Sequence, residues 1–182
     1  MSYRLREATL GDVGALRELI AASARGLGAV DYTREVIDAA LKSAFGVDTS
    51  LIRDRTYYVV EADDGTLAAC GGWSRRRTMF GSDARAERDE SLLDPATESA
   101  RIRAMFVHPK HARHGLGRMI LEHSERTAMG EGFRSFELMA TLPGVRLYEK
   151  FGYHGEAIIT HPLGDGIEIR FLPMKKVVAG PA

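Results

Sequence analysis

A single cysteine in 182 residues, no excess charge of either sign and no long apolar run each remove a class of protein from consideration. With Cys70 alone, no internal disulfide can brace the fold, and no Cys/His spacing suggests a zinc site. Such cysteine usage suits a reducing compartment. Lys plus Arg and Asp plus Glu both total 25, so no overall field draws the chain to nucleic acid or to an anionic membrane. Any phosphate site must therefore be local. The first residues, Met1 to Arg6, turn polar at once and lack the apolar core of a signal peptide, and nothing approaches the ~20 apolar residues of a membrane span. The expectation is a cytoplasmic protein with no metal, no nucleic-acid partner and no membrane partner.

What is present suffices for one core. At 45% hydrophobic residues the chain can close a single sizeable domain over 1–182 and hardly two. Tyr3, Leu5 and Glu7 alternate with Arg4 and Arg6 as a short strand. Thr9 and Asp12 form a capping-box pattern that opens a helix with the stripe Val13, Leu16, Leu19 and Ile20, ended by Gly26 and Gly28. A second helix is expected from Thr33 to Ala44, stopped by Gly46. The runs 56–61 and 67–73 flank Asp64-Gly65 and predict a hairpin. Gly71-Gly72 near its end marks either a bulge, a close approach of something to the backbone, or a flexible strand end. Residues 74–99 show no periodicity and mix five arginines with six acidic residues, which predicts a long loop. A strand at 102–107, a helix from Leu116 to Met129 with Met119, Ile120, His123 and Thr127 on one face, and a strand at 135–139 follow. A short helix over 145–151 and final strands at 157–160 and 167–177 complete a mixed α/β order.

One turn has the makings of an anion site. Gly115-Leu116-Gly117 enters a helix, where unpaired N–H groups and the positive end of the helix dipole converge, and Arg113, His114 and Arg118 add charge. An ordinary tight turn would use the same glycines. No Gly-Lys-Ser/Thr and no full Gly-x-Gly-x-x-Gly after the first strand is present, so triphosphate and dinucleotide sites drop away.

The segment 102–109 followed by Ala112-Arg113-His114-Gly115-Leu116-Gly117 resembles motif A of the Gcn5-related N-acetyltransferase (GNAT) family, written Gln/Arg-x-x-Gly-x-Gly/Ala. Ala112 departs from that pattern and removes one polar contact. Leu147-Tyr148-Glu149-Lys150-Phe151-Gly152-Tyr153 resembles the motif B helix, and Pro173-Met174 fits a last strand. The resemblance implies a mixed, largely antiparallel sheet with splayed central strands and helices on both faces. It also implies an N-acetyltransferase that moves an acetyl group from acetyl-CoA directly to an amine of a small molecule or peptide. Met105, Phe106 and Val107 would pair with the pantetheine arm, and residues 112–118 would hold the pyrophosphate. An N–H of Phe106 or Val107 would meet the developing oxyanion, and Tyr148 would protonate the departing thiolate, packing being its alternative role. Homodimers are common among similar proteins.

The acceptor side is less defined. Glu98, Glu137 and His161 each offer a base, against a solvated or structurally paired alternative. His108 reads as a strand-end residue. Trp73 either lines the substrate pocket or belongs to the core, and Arg75-Arg76-Arg77 either select an acidic group or form a balanced, solvated loop. Cys70 reads as a small buried residue. A rival function is a catalytically weak acyl-CoA-binding or regulatory module with the same donor site. A more distant one is transfer of a longer acyl chain or transfer to a hydroxyl.

Overall fold

The computed structural model describes residues 2–179. Its seven strands form one sheet in the order β1-β2-β3-β4-β5-β7-β6, where β1 is Tyr3–Glu7, β2 Tyr57–Ala62, β3 Leu67–Ser74, β4 Ala100–Val107, β5 Ser135–Thr141, β6 Ile159–Gly164 and β7 Ile167–Val177. Every neighbouring pair is antiparallel except β4 with β5. Successive residues of β2 serve opposite faces: Val59 joins a core containing Leu16, Ile20 and Phe171, while Val60 joins one containing Leu116 and Ile120. Helices α1 (Val13–Leu27) and α2 (Arg34–Ala40) therefore cover one face. Helices α4 (Leu116–Gly130) and α5 (Val145–Lys150) cover the other.

Local chemistry explains the elements and two departures from their expected bounds. The Asp12 carboxylate accepts from the Thr9 N–H at 2.7 Å, and the 3-10 turn this closes leads straight into α1. Gly26 does not end that helix. It lies inside α1 because a Cβ there would stand 2.4 Å from the Pro109 ring, so the glycine marks a helix-to-loop contact and Gly28 is the cap. The second helix stops at Ala40, and a further one, α3 (Thr49–Arg53), is capped by Asp48, whose carboxylate accepts from the Ser50 N–H at 3.0 Å. Helix α4 buries Leu116, Ile120, Leu121, Ser124 and Ala128, a stripe rotated from the Met119, His123, Thr127 side. Strand β6 begins two residues later than the sequence pattern suggests.

Asp48 does more than cap α3. Its side chain is 0% exposed and pairs with Arg103 of β4 at 2.8 Å and with Arg88 of the 74–99 segment at 2.8 Å. Arg103, 2% exposed, also donates to the carbonyls of Thr78 at 3.0 Å and Gly81 at 2.9 Å. Nearly every polar atom of this buried group thus has a partner, the condition under which buried charge is tolerated. The effect is to fasten an irregular segment of 25 residues between strands β3 and β4 to the sheet. Removing one partner leaves the other buried and unpaired, so Asp48→Ala should lower unfolding free energy by about 3–5 kcal/mol in chemical denaturation. A loss no larger than that of an exposed ion pair would remove this network from its structural role.

Candidate active site

The site begins where β4 and β5 part. These strands pair only at Ala100 with Phe136 and Arg101 with Glu137, after which β5 continues along β7 as far as Thr141 opposite Phe171. A kink in β4 drives the divergence. Ala104 sits at φ 51°, the β3–β4 register slips between Cys70 and Gly72, and the Tyr57 hydroxyl lies 3.2 Å from the Ala104 carbonyl. The glycine pair proves to be both a bulge and a site of close approach, by the chain itself. A Cβ on Gly71 would stand 2.3 Å from the Met105 Sδ, and one on Gly72 would stand 2.0 Å from the Thr56 carbonyl oxygen.

Beyond Arg101, Met105, Phe106 and Val107 therefore have no β5 partner. Alternation decides which N–H groups face the gap. The His108 N–H donates to the Ala68 carbonyl at 2.8 Å across β3, which puts the Phe106 N–H on the same edge, where it reaches the Cys70 thiol. Val107 then directs its N–H to the open edge. Of the two N–H groups that the sequence offered, that of Val107 is therefore the one facing the gap. Cys70 itself is fully buried, and burial pushes its thiol up to about 12, so it is a packing residue.

At the end of β4 the chain turns into α4 through two left-handed residues, Arg113 at φ 68° and Gly115 at φ 77°. The first helical bond runs from the Met119 N–H to the Gly115 carbonyl at 3.0 Å, so the N–H groups of Leu116, Gly117 and Arg118 have no helical acceptor. Together they form a concave cluster of donors at the positive end of a 15-residue helix. The side chains behave differently from one another. Leu116 is buried at 1% exposure, leaving only its backbone to the turn. His114 folds back, its Nδ1 2.9 Å from the Ala112 carbonyl, and Arg118 pairs with Glu122 at 2.8 Å. Arg113 is exposed and has no ion pair among the described residues. A Cβ on Gly117 would stand 3.0 Å from Leu147 Cδ2, so this glycine lets α5 pack directly against the turn.

Tyr148 of α5 is the sequence-predicted acid, and the packing of Leu147 places it on the gap. It is 7% exposed and lines a cavity together with Ile102, Met105 and Phe106 of β4 and Leu138 and Met139 of β5. Burial raises its phenol well above the ordinary 10.0, and among the described residues its hydroxyl has no hydrogen-bond partner. The group is thus a neutral donor facing a space between two strands.

The other candidates separate clearly. Trp73 is 1% exposed, packs edge-on against Phe133 at 5.8 Å and does not line the cavity, so its assignment to a substrate pocket is corrected to the core. Arg75, Arg76 and Arg77 pair with Glu131, Asp54 and Glu98 at 2.5, 2.7 and 2.6 Å, which makes them a balanced loop. Glu98 also accepts from the Asp94 N–H at 2.8 Å, and that bond holds its carboxylate below the usual range. Glu137 is engaged by Arg101 and Lys175. His108 caps a short turn, accepting from the Lys110 N–H at 3.1 Å. His161 meets the edge of Phe80 at 4.8 Å, and Phe80 is part of the cavity wall. Burial lowers the His161 imidazole, helped by the nearby Arg85. Sequence reasoning missed the rest of that wall, Phe45, Phe80 and Phe171, since these phenylalanines come from three unconnected segments with no shared period.

Comparison with known proteins agrees with this arrangement. A family model described as acetyltransferase (GNAT) family matches residues 17–153. No curated protein matches the sequence. Among solved structures, a GCN5-related N-acetyltransferase from Rhodopseudomonas palustris superposes with a TM-score of 0.71 at 16% identity, covering 98% of this chain and 97% of that one. The PaiA N-acetyltransferase of Thermoplasma acidophilum in complex with coenzyme A gives 0.66 at 16%, over 97% and 99% of the two chains. The ribosomal-protein-S18-alanine N-acetyltransferase of Escherichia coli gives 0.62 at 17%, over 100% and 97%. At such identities the likeness is one of fold. With the family model spanning most of the chain, and the splayed strands and left-handed turn lying where its two motifs fall, the chain belongs to the GNAT acetyltransferase family.

Proposed function

We propose that the protein is an acetyl-CoA-dependent N-acetyltransferase that acts by direct transfer to a primary amine. The observation that carries this reading is the conjunction of a free β4 edge, a donor-rich turn at its end and a neutral tyrosine between them. A Thermoplasma protein of the same fold was solved with coenzyme A, and that protein and the Escherichia coli one are N-acetyltransferases. Acetyl-CoA would supply the acetyl group as an activated thioester: a C–N bond forms, the C–S bond breaks, one proton leaves nitrogen and one reaches sulfur.

Each residue's contribution follows from its placement. The N–H groups of Leu116, Gly117 and Arg118, with the Arg113 guanidinium, hold a pyrophosphate. The open edge of Met105 to Val107 pairs with an extended amide-bearing arm as an added strand would. The Val107 N–H, aimed into the gap, stabilises charge on the thioester oxygen. Tyr148 donates its phenolic proton to the thiolate. Because burial raises its pKa, it stays protonated through neutral pH, as an acid must. An amine near pKa ~10 needs its proton removed, and of Glu98, Glu137 and His161 only His161 adjoins the cavity wall without an ion pair. Its lowered pKa keeps the imidazole neutral and able to accept.

Two substitutions test the donor and acid roles separately. Gly115→Ala adds a Cβ into open space at a left-handed position, a strain of about 1–2 kcal/mol that the fold should survive. Acetyl-CoA affinity by calorimetry should fall roughly tenfold or more, and unchanged affinity would remove the turn from the site. Tyr148→Phe should cut turnover about 10- to 100-fold, since water can replace part of the acid's role, while acetyl-CoA affinity changes little. Wild-type turnover should show no loss from phenol deprotonation below pH 10.0. A descending limb nearer neutrality that vanishes in the Phe variant would overturn the raised phenol pKa, and turnover unchanged in the Phe variant would overturn the acid assignment.

A further inference from the structure

The cavity is walled by aromatic rings, and one cation with no carboxylate partner among the described residues stacks on one of those rings without itself lining the cavity; both features select against the same property in an amine. Phe45 and Phe106 meet edge-on with centroids 5.7 Å apart, and Phe80 and Phe171 lie 5.1 Å apart. All four line the cavity and no carboxylate does. A chain with a second ammonium would have to bury it there with no opposite charge to receive it.

The cation is Arg85. Five arginines occupy residues 74–99, and four of them are neutralised: Arg75 by Glu131, Arg76 by Asp54, Arg77 by Glu98 and Arg88 by Asp48. Arg85 has no carboxylate partner among the described residues. It is nonetheless held in place. Its Nη1 donates to the Phe80 carbonyl at 2.9 Å, its guanidinium lies over the Phe80 ring at 4.2 Å, and its stem crosses Gly81, where a Cβ would stand 2.6 Å from Arg85 Cδ. Gly81, at φ 108°, thereby gives the side chain room to fold onto the ring that forms the cavity wall. The exposed Glu87 is close enough to influence His161 yet does not pair with Arg85. A bare aromatic wall attracts cations to its ring faces. Here Arg85 already covers Phe80, so the wall carries its own positive charge.

We propose that the acceptor is an amine borne on an apolar or aromatic skeleton that also carries a carboxylate, with the skeleton among the phenylalanines and the carboxylate on the free fork of Arg85. This rests on the N-acetyltransferase reading of the same cavity. It excludes polyamines and lysine side chains as preferred acceptors and makes Arg85 a specificity residue.

Matched pairs of acceptors test it, with free CoA release as the readout. L-phenylalanine is compared with phenethylamine, and para-aminomethylbenzoate with benzylamine; spermidine and lysine complete the panel. At least one carboxylate-bearing member should exceed its carboxylate-free partner by about tenfold or more in kcat/KM, and spermidine and lysine should fall below both. Arg85→Gln should collapse that preference ratio toward one, and Arg85→Lys should restore part of it. Circular dichroism and acetyl-CoA calorimetry on the same samples show whether the variants fold and hold the donor. If the wild type binds acetyl-CoA yet prefers spermidine, lysine or the carboxylate-free monoamines, or turns over no carboxylate-bearing amine, the proposal fails while the donor-site reading stands. If Arg85→Gln folds and keeps the preference, Arg85 is not its source and the proposal fails. If the wild type does not bind acetyl-CoA, the N-acetyltransferase reading itself falls, and this inference with it.

Discussion

The buried pair between Asp48 and Arg103 is the constraint on which the acceptor half of the molecule depends. Strand β4 must do two incompatible things: continue the sheet, and abandon its partner β5 after two residue pairs. Arg103 sits at the point of departure, next to the left-handed Ala104. Its guanidinium reaches away from the strand to Asp48 and to carbonyls of the 74–99 segment, so the turning strand, the start of α3 and the long segment share one polar junction. An apolar residue at 103 could pack, but it could not satisfy the Thr78 and Gly81 carbonyls. The cost of burying charge is repaid here in placement: Phe80, Gly81 and Arg85 follow directly from the anchored carbonyls.

The other side of the same strand carries the donor half. Once β5 has diverged, the alternation of β4 assigns even-numbered N–H groups to β3 and odd-numbered ones to the gap, as the bond from His108 to Ala68 shows. The kink therefore sets chemistry as well as direction. A shift of one residue would exchange Val107 for Phe106 and aim the wrong N–H into the gap. Tyr57 holds this register from β2, one strand beyond β3, through its hydroxyl contact with Ala104, and Gly71 holds it by leaving space for Met105. Thus the glycine pair, which the sequence left open as a bulge, a close approach or a flexible strand end, pins the register of β4.

What was legible in the sequence was local chemistry. The hairpin around Asp64-Gly65, the capping pair Thr9 and Asp12, the glycine turn at 115–117 and the tyrosine helix each depend on residues within a few positions of one another, and the elements they predict are present. Contacts between distant segments left no such mark. Asp48 and Arg103 are 55 positions apart, and each looks like an ordinary charged residue until the fold buries both. Gly26 misled for the related reason that its glycine signal was genuine but tertiary: it makes room for Pro109 and does not stop a helix. Trp73, placed near a strand end, was open to either a pocket or a core role until Phe133 and the sheet enclosed it. The phenylalanine wall was invisible because three separate segments and β4 each supply part of it.

The two motifs that first suggested the family also prove to be physically one feature. Gly117 belongs to the phosphate-turn pattern and Leu147 to the tyrosine-helix pattern, yet the missing side chain of the first is the space that the second fills. Leu147 is also the residue before Tyr148, so the turn proposed to hold one end of the donor packs against the helix that would present the proposed acid to the other end. A Cβ at position 117 would press on α5 before it met any ligand, since Leu147 lies only 3.0 Å away. On the proposed reading, donor binding and acid placement would be coupled through that contact. The coupling gives a packing reason for the second glycine, whereas the left-handed Gly115, with nothing within 4 Å of its missing Cβ, is required by backbone conformation alone.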